Sequence, residues 1–211
     1  MISIHMIHYP PCQPREKYAA EHRLGMYLLS QALSSRFGLS ISLDALPDAL
    51  EQNAYGKPRL KHYPNIHFNI SHCDGLVACA LAEIPIGLDI EQIHPFKDSI
   101  LRKVLTPAEK DFLETFRHDP AAYEQCFYRF WTLKESRIKQ SGLGLSMPLD
   151  SFSFELDLSE EPVRITSSED RLWFYQERIE KQYFLALCSE LPRQEISVTM
   201  YPAESSMPSV H

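Results

Sequence analysis

The chain has 211 residues, 44% of them apolar, and a net charge of −7. Its length favours a single globular unit built of two similar halves, with apolar side chains enough for a sizeable core. The acidic balance argues against a general nucleic-acid binder, so an anionic ligand would have to be met by a local basic patch.

Residues Ile2 to His8 alternate apolar and polar, which predicts a first strand. Pro14 is well placed to open a helix. Leu29, Leu33 and Phe37 then recur at helical spacing, and Gly38 can cap its end. Tyr55-Gly56-Lys57-Pro58 reads as a turn. Ile66, Phe68 and Ile70 alternate in a strand, and Leu76 to Leu81 is a more fully buried one. Pro85 precedes the strand Gly87-Leu88-Asp89-Ile90-Glu91. A basic amphipathic stretch follows, with Lys97, Arg102 and Lys103 among Ile100, Leu101, Val104 and Leu105. Thr106-Pro107-Ala108-Glu109 is a capping box with proline at the first helical position. Pro120 opens a helix that runs through Lys139 to a glycine stop at Gly142. Phe152, Phe154 and Leu156 alternate, then strands return at Leu172 to Tyr175 and Tyr183 to Leu187. Ile196 to Met200 suits a last edge strand, with fraying beyond it.

The order of a long helix followed by antiparallel strands occurs twice. It predicts an α+β protein of two similar lobes, residues 1–85 and 86–191, and a tail over 192–211. The cysteines (Cys12, Cys73, Cys79, Cys126 and Cys188) are odd in number and form no CxxC pair. Reduced thiols in a cytosol therefore fit better than a disulfide framework or a zinc cluster. Met1 to Pro11 lacks the pattern of a signal peptide, and the apolar run near Leu76 to Ala82 is too short to span a bilayer. A cytoplasmic monomer with no membrane or nucleic-acid partner is the expectation.

Asp89 and Glu91 fall on one side of their strand, Leu88 and Ile90 on the other. Glu135 and Lys139 are four positions apart in a helix and share a face. Taken singly, each pair is also what a solvated strand edge or a surface ion pair would show. However, Phe127 and Trp131 precede Glu135 at the same spacing, so the acid continues an inward apolar row. Charged groups in such a row usually have a partner or a function. Three carboxylates supply the hard oxygens that magnesium prefers, manganese being the alternative, and Lys139 would face the same phosphates as a point charge. His72 follows Asn69-Ile70-Ser71 and could donate to a phosphate with Ser71 assisting; a hydrogen-bonded loop histidine is the plainer reading. Lys57 on its stiff turn is a candidate anion contact, and Arg23 sits in the first helix. Cys73 adjoins His72, but neighbouring strand residues point to opposite faces, which argues against a nucleophilic pair. No GxSxG, Walker A or GxGxxG pattern occurs.

Gly87-Leu88-Asp89-Ile90-Glu91, together with Phe127-Tyr128-Arg129-Phe130-Trp131-Thr132-Leu133-Lys134-Glu135-Ser136 through Lys139 and Gly142, resembles the 4′-phosphopantetheinyl transferases. The likeness is to their two-lobed, surfactin-synthetase-activating type. Tyr55 to Pro58, His67 to His72, Leu143 to Ser146 and Glu21-His22-Arg23 add weaker support. The resemblance implies two α+β lobes, each a long helix against a small antiparallel sheet, related by a pseudo-twofold axis with coenzyme A between them. It implies transfer of the phosphopantetheine arm to a serine of an apo acyl or peptidyl carrier protein, releasing adenosine 3′,5′-bisphosphate. By motif position Asp89, Glu91 and Glu135 would hold magnesium, and Glu135 would take the serine proton, directly or through a metal-bound water. Lys139, Ser71 and His72 would contact the pyrophosphate, with Arg23 and Lys57 near the adenosine end. A non-catalytic binder of carrier protein or coenzyme A, and another magnesium-dependent phosphotransferase, are the competing readings.

Overall fold

The computed structural model describes residues 1–160, 162–190 and 193–203, apart from the side chain of Leu145. The chain begins with β1 (Ile2–His8), then α1 (Pro14–Phe37), the short α2 (Leu46–Ala49), β2 (Leu50–Gln52), β3 (Pro58–Leu60), β4 (His67–Cys73) and β5 (Leu76–Ala82). It continues with β6 (Ile86–Gln92), α3 (Leu101–Val104), α4 (Pro107–Glu114) and α5 (Pro120–Ser141). The last strands are β7 (Phe154–Asp157), β8 (Arg164–Ser167), β9 (Leu172–Ile179), β10 (Tyr183–Glu190) and β11 (Ile196–Tyr201). Proline stands at the start of α1, α4 and α5, where a missing N–H costs nothing. Gly38 and Gly142 end the long helices in the left-handed conformation that an L side chain resists.

Two sheets form the centre. The first has the order β11-β1-β5-β4, and the second β6-β10-β9. Period-2 burial gives each sheet two apolar faces. Val77, Cys79 and Leu81 of β5 pack against Leu24, Leu28 and Leu29 of α1. Phe184, Ala186 and Cys188 of β10 pack against Phe127, Phe130 and Leu133 of α5. The inner faces meet each other through Ile4, Met6 and Ala78 on one side and Leu88, Ile90 and Leu185 on the other. Each fully buried aliphatic side chain contributes roughly 1.5–3 kcal/mol of transfer free energy.

The expected last edge strand forms as β11, at the edge of the N-terminal sheet, where it pairs in parallel with β1, Ile2 opposite Ile196 and Met6 opposite Met200. That sheet is therefore mixed rather than antiparallel throughout. Parallel pairing across almost the whole chain leaves no local signature, because no turn joins the two strands. The expected fraying beyond Met200 falls mostly on residues 204–211, which lie outside the described residues. Among the described residues no helix is long and apolar enough to cross a membrane.

β6 is an edge strand, and its free edge is closed by side chains instead of a backbone ladder. Asn69 Oδ1 accepts from the Leu88 amide at 2.8 Å and Ser71 Oγ from the Ile90 amide at 3.2 Å. Alternation along β4 sends both side chains to the same face, so two polar residues two apart satisfy two buried donors that would otherwise be orphaned. This stitch seats β4 beside β6 and brings Ser71 next to Asp89.

Candidate functional site

Gly87 decides how closely α5 approaches β6. A Cβ there would lie 2.0 Å from Ser136 O and 2.3 Å from Gln140 N, so any side chain would push the helix off the strand. With hydrogen in that place, α5 lies directly on β6, and Glu135 and Lys139 project over the strand that carries Asp89 and Glu91.

Asp89 is almost wholly buried. Its Oδ1 accepts from Lys139 Nζ at 2.7 Å and from Ser71 Oγ at 3.1 Å, and Lys139 Nζ also donates to Ser71 Oγ at 2.8 Å. Its Oδ2 is buried with no partner. An orphaned carboxylate oxygen is costly unless something supplies positive charge or a donor. Glu91 accepts from Trp131 Nε1 at 3.1 Å. Burial, and next the charge of Asp89, push the Glu91 carboxyl up to about 7 against that hydrogen bond. Glu135 is raised as well, by burial first and by Asp89 second, against the pull of Lys139. Two acids raised by burial and by a third carboxylate form a cluster short of cations.

Among the described residues, no three His, Cys, Asp or Glu side chains stand together as a ready-made metal cage. Lys139 holds one Asp89 oxygen and Trp131 holds Glu91. The donor chemistry still fits a hydrated divalent ion: hard oxygens only, one of them unpartnered.

A cavity of about 250 Å³ opens beside this cluster, lined by Lys17, Glu21, His72, Glu91, Gln92 and His94 among others. His72 and Glu21 also line a larger cavity of about 780 Å³ that runs between α1 and the β2–β3 pair, past Tyr18, His22, Met26 and Leu50. The two spaces meet at His72. The expected Ser71, Asp89 and Lys139 are thus joined by hydrogen bonds, His72 and Glu91 line the cavity beside them, and Glu135 is coupled to Asp89 electrostatically.

Two expected residues lie elsewhere. Lys57 Nζ donates to Ile86 O at 2.9 Å and Gln140 O at 3.1 Å, and burial lowers its pKa to about 8. The turn therefore clasps β6 and the end of α5, aided by Asn53 Nδ2, which donates to Gly142 O at 2.9 Å. Carbonyls at a helix C-terminus are an electronegative partner for an ammonium, and they draw it away from any anion. Arg23 lies on the exposed face of α1 and lines neither cavity. Two turns of α1 instead deliver Glu21, buried against Tyr9 and His72. The signal for Glu21 was present: it stands three and seven positions before the buried Leu24 and Leu28, an acid in the core row. Cys73 is buried, and burial pushes its thiol well above its ordinary value, so no thiolate nucleophile is poised there.

Residues 85–188 match the sequence model of the 4'-phosphopantetheinyl transferase superfamily. The chain is 34% identical to a 4'-phosphopantetheinyl transferase of Bacillus subtilis, over 80% of this chain and 73% of the relative. It is 33% identical to the 4'-phosphopantetheinyl transferase Sfp of Bacillus subtilis strain 168, over 86% and 79%. A human L-aminoadipate-semialdehyde dehydrogenase-phosphopantetheinyl transferase is 31% identical, over 68% of this chain and 53% of its own length.

Proposed function

Because this chain belongs to the 4′-phosphopantetheinyl transferases, we propose that the cleft over Asp89 takes coenzyme A and passes its phosphopantetheine arm to a serine of an apo carrier protein. The observation that carries this is Asp89 itself: a buried carboxylate, one oxygen held by Lys139 and the other left without a partner, on the same strand face as Glu91, which lines a polar cavity. In the reaction the serine Oγ attacks the phosphorus next to the pantetheine arm, the bridging P–O bond breaks, and adenosine 3′,5′-bisphosphate leaves. Phosphoryl transfer of this kind depends on positioning and charge neutralisation more than on covalent help from the protein.

Lys139 meets the diphosphate as a point charge, with the Ser71 hydroxyl and His72 as further donors. Glu135 takes the proton of the attacking serine. Asp89, Glu91 and Glu135 would hold Mg²⁺, or Mn²⁺ with the same oxygen chemistry. When bound it would neutralise charge on the diphosphate. The nucleoside end extends past His72 into the larger cavity, between Tyr18, Met26, Leu50 and Pro58. Arg102 and Lys103 on the exposed side of α3, with Lys97 before it, would receive the acidic helix of a carrier. The matching strand orders, β1-β5-β4 and β6-β10-β9, support two lobes related by a pseudo-twofold axis.

Mass spectrometry of an apo carrier incubated with coenzyme A and magnesium tests the reading. The carrier should gain one phosphopantetheine on a serine, and chelation should prevent it. Carriers of several types that all stay unmodified would favour a protein that binds without transfer.

A further inference from the structure

Glu21 is the buried charge that the proposed reaction leaves without a task. Its side chain is 4% exposed, against 42% for His72. One carboxylate oxygen, Oε2, lies 3.1 Å from His72 Nδ1. The other, Oε1, accepts from the Tyr9 hydroxyl at 2.5 Å, and Lys17 Nζ stands 3.8 Å away. The Tyr9 oxygen is also 3.0 Å from Cys73 O, which ties this group to the end of β4. Both carboxylate oxygens are therefore committed, and the carboxylate is anchored to two elements. A purely structural acid would need only Tyr9 and Lys17. The third contact goes to the ring at which the two cavities meet.

A carboxylate accepts and never donates, so a hydrogen on Nδ1 of His72 is what makes that 3.1 Å approach to Oε2 favourable. The other nitrogen, Nε2, is then the one left for the cleft. A histidine held this way has a set ring angle and a set hydrogen position, as when the second nitrogen of a ligating imidazole is bound by a carboxylate. We propose that Glu21 is a positioning residue: it fixes the His72 ring and assigns its Nδ1 hydrogen, so that Nε2 is presented to a substrate phosphate. This rests on His72 meeting the diphosphate of coenzyme A, as the proposed function has it.

Kinetics with saturating apo carrier test the consequence. Glu21→Leu should raise the coenzyme A KM by roughly tenfold, the scale of one weakened charge-assisted hydrogen bond, with kcat within about threefold. Glu21→Gln keeps an oxygen that can accept from Nδ1 and should restore KM to within about threefold of the starting chain. In a His72→Ala background, Glu21→Leu should add less than about twofold, since the two act as one unit. An unchanged KM in Glu21→Leu, or the full tenfold loss repeated without His72, overturns the assignment. Should Glu21→Leu fail to fold, ¹⁵N NMR of histidine-labelled unsubstituted protein decides. His72 should show a protonated Nδ1, and a ring averaging between tautomers overturns the inference. A chain that transfers nothing while His72 shows the fixed tautomer would overturn the functional reading alone. Transfer by a chain whose His72 averages would overturn this inference alone.

Discussion

Helix α5 carries two lysines that each meet a buried carboxylate, five residues apart, and they differ in one respect. Lys134 and Glu109 are both sealed, at 0% and 1% exposure, and Nζ lies 2.9 Å from Oε2. Lys134 also donates to Leu149 O and Phe152 O, while Glu109 accepts from the amides of Thr106 and Phe154. The capping box of α4 supplies one of those bonds, so the acid that starts the helix also anchors it to β7 and α5. Lys139 and Asp89 are 28% and 4% exposed, and one Asp89 oxygen has nothing to bond. The first pair is complete and joins three elements. The second is incomplete, and its lysine is partly exposed. Identical ion chemistry thus serves as a joint in one place and, in the function proposed, as a reaction centre in the other, and the unsatisfied oxygen tells them apart.

The hardest test of that contrast is Asp89→Asn. It keeps the shape and removes the charge, so transfer should fall at least about a thousandfold, roughly 4 kcal/mol of barrier, while the melting temperature holds or rises. Steady-state transfer and a thermal melt on the same preparation check both halves; activity within tenfold would erase the distinction between the pairs.

Lys134→Met should do the reverse. It strands Glu109 as a buried charge and should cost about 3–5 kcal/mol in equilibrium unfolding, with little change in turnover per folded molecule. Adding Glu109→Gln removes the stranded charge while keeping an oxygen for the Phe154 amide, and should recover part of the loss. A double variant no more stable than the single would show that the pair is not the joint inferred for it.

Lys139→Met strands Asp89 where the lysine it loses was itself partly exposed. A smaller loss is expected, about 1–3 kcal/mol, and millimolar magnesium should restore most of it in the melt while chelator removes the benefit. A melt indifferent to magnesium would count against the carboxylates as cation ligands.

The smallest effect per residue concerns the apolar cores on either side of these pairs. Burial holds the Cys126 thiol up to about 12, from 9.0, and raises Cys79, Cys73 and Cys188 as well. A thiol whose pKa is higher folded than unfolded stabilises fully below the unfolded value, and that contribution is lost as pH rises toward the folded one. Each thiol should therefore withdraw about 1 kcal/mol between pH 9 and 10. Urea titrations at both pH values should show the loss, and Cys126→Ala should remove one share of it. An equal slope in the variant would place the alkaline instability elsewhere.

Much of this was readable locally. The proline starts, the glycine stops, the Thr106 capping box and the alternation of Asp89 and Glu91 all express contacts within a few residues. The row Phe127, Trp131, Glu135, Lys139 marked the face of α5 that lies over Asp89 and Glu91 because an acid and a base continued an apolar stripe. The same rule applied to Glu21 and to Lys134, which follows Phe127 and Phe130 in the core of α5. Neither was picked out, because the partners His72 and Glu109 lie far away along the chain. Lys57 was misplaced for a related reason. Its turn was legible, but the carbonyls of Ile86 and Gln140 that capture its ammonium are assembled only by packing.

By itself, then, the amino-acid order determined the helices, the strands, their inward faces and the acids that a cation would need. Tertiary structure decided that β11 returns to β1, that Lys57 turns to carbonyls, and that Lys139 reaches one oxygen of Asp89 and leaves the other bare. The reason is range. Periodicity and capping act over three or four residues, whereas these choices depend on which elements touch, and here that depends on Gly87 having no side chain to hold α5 away from β6.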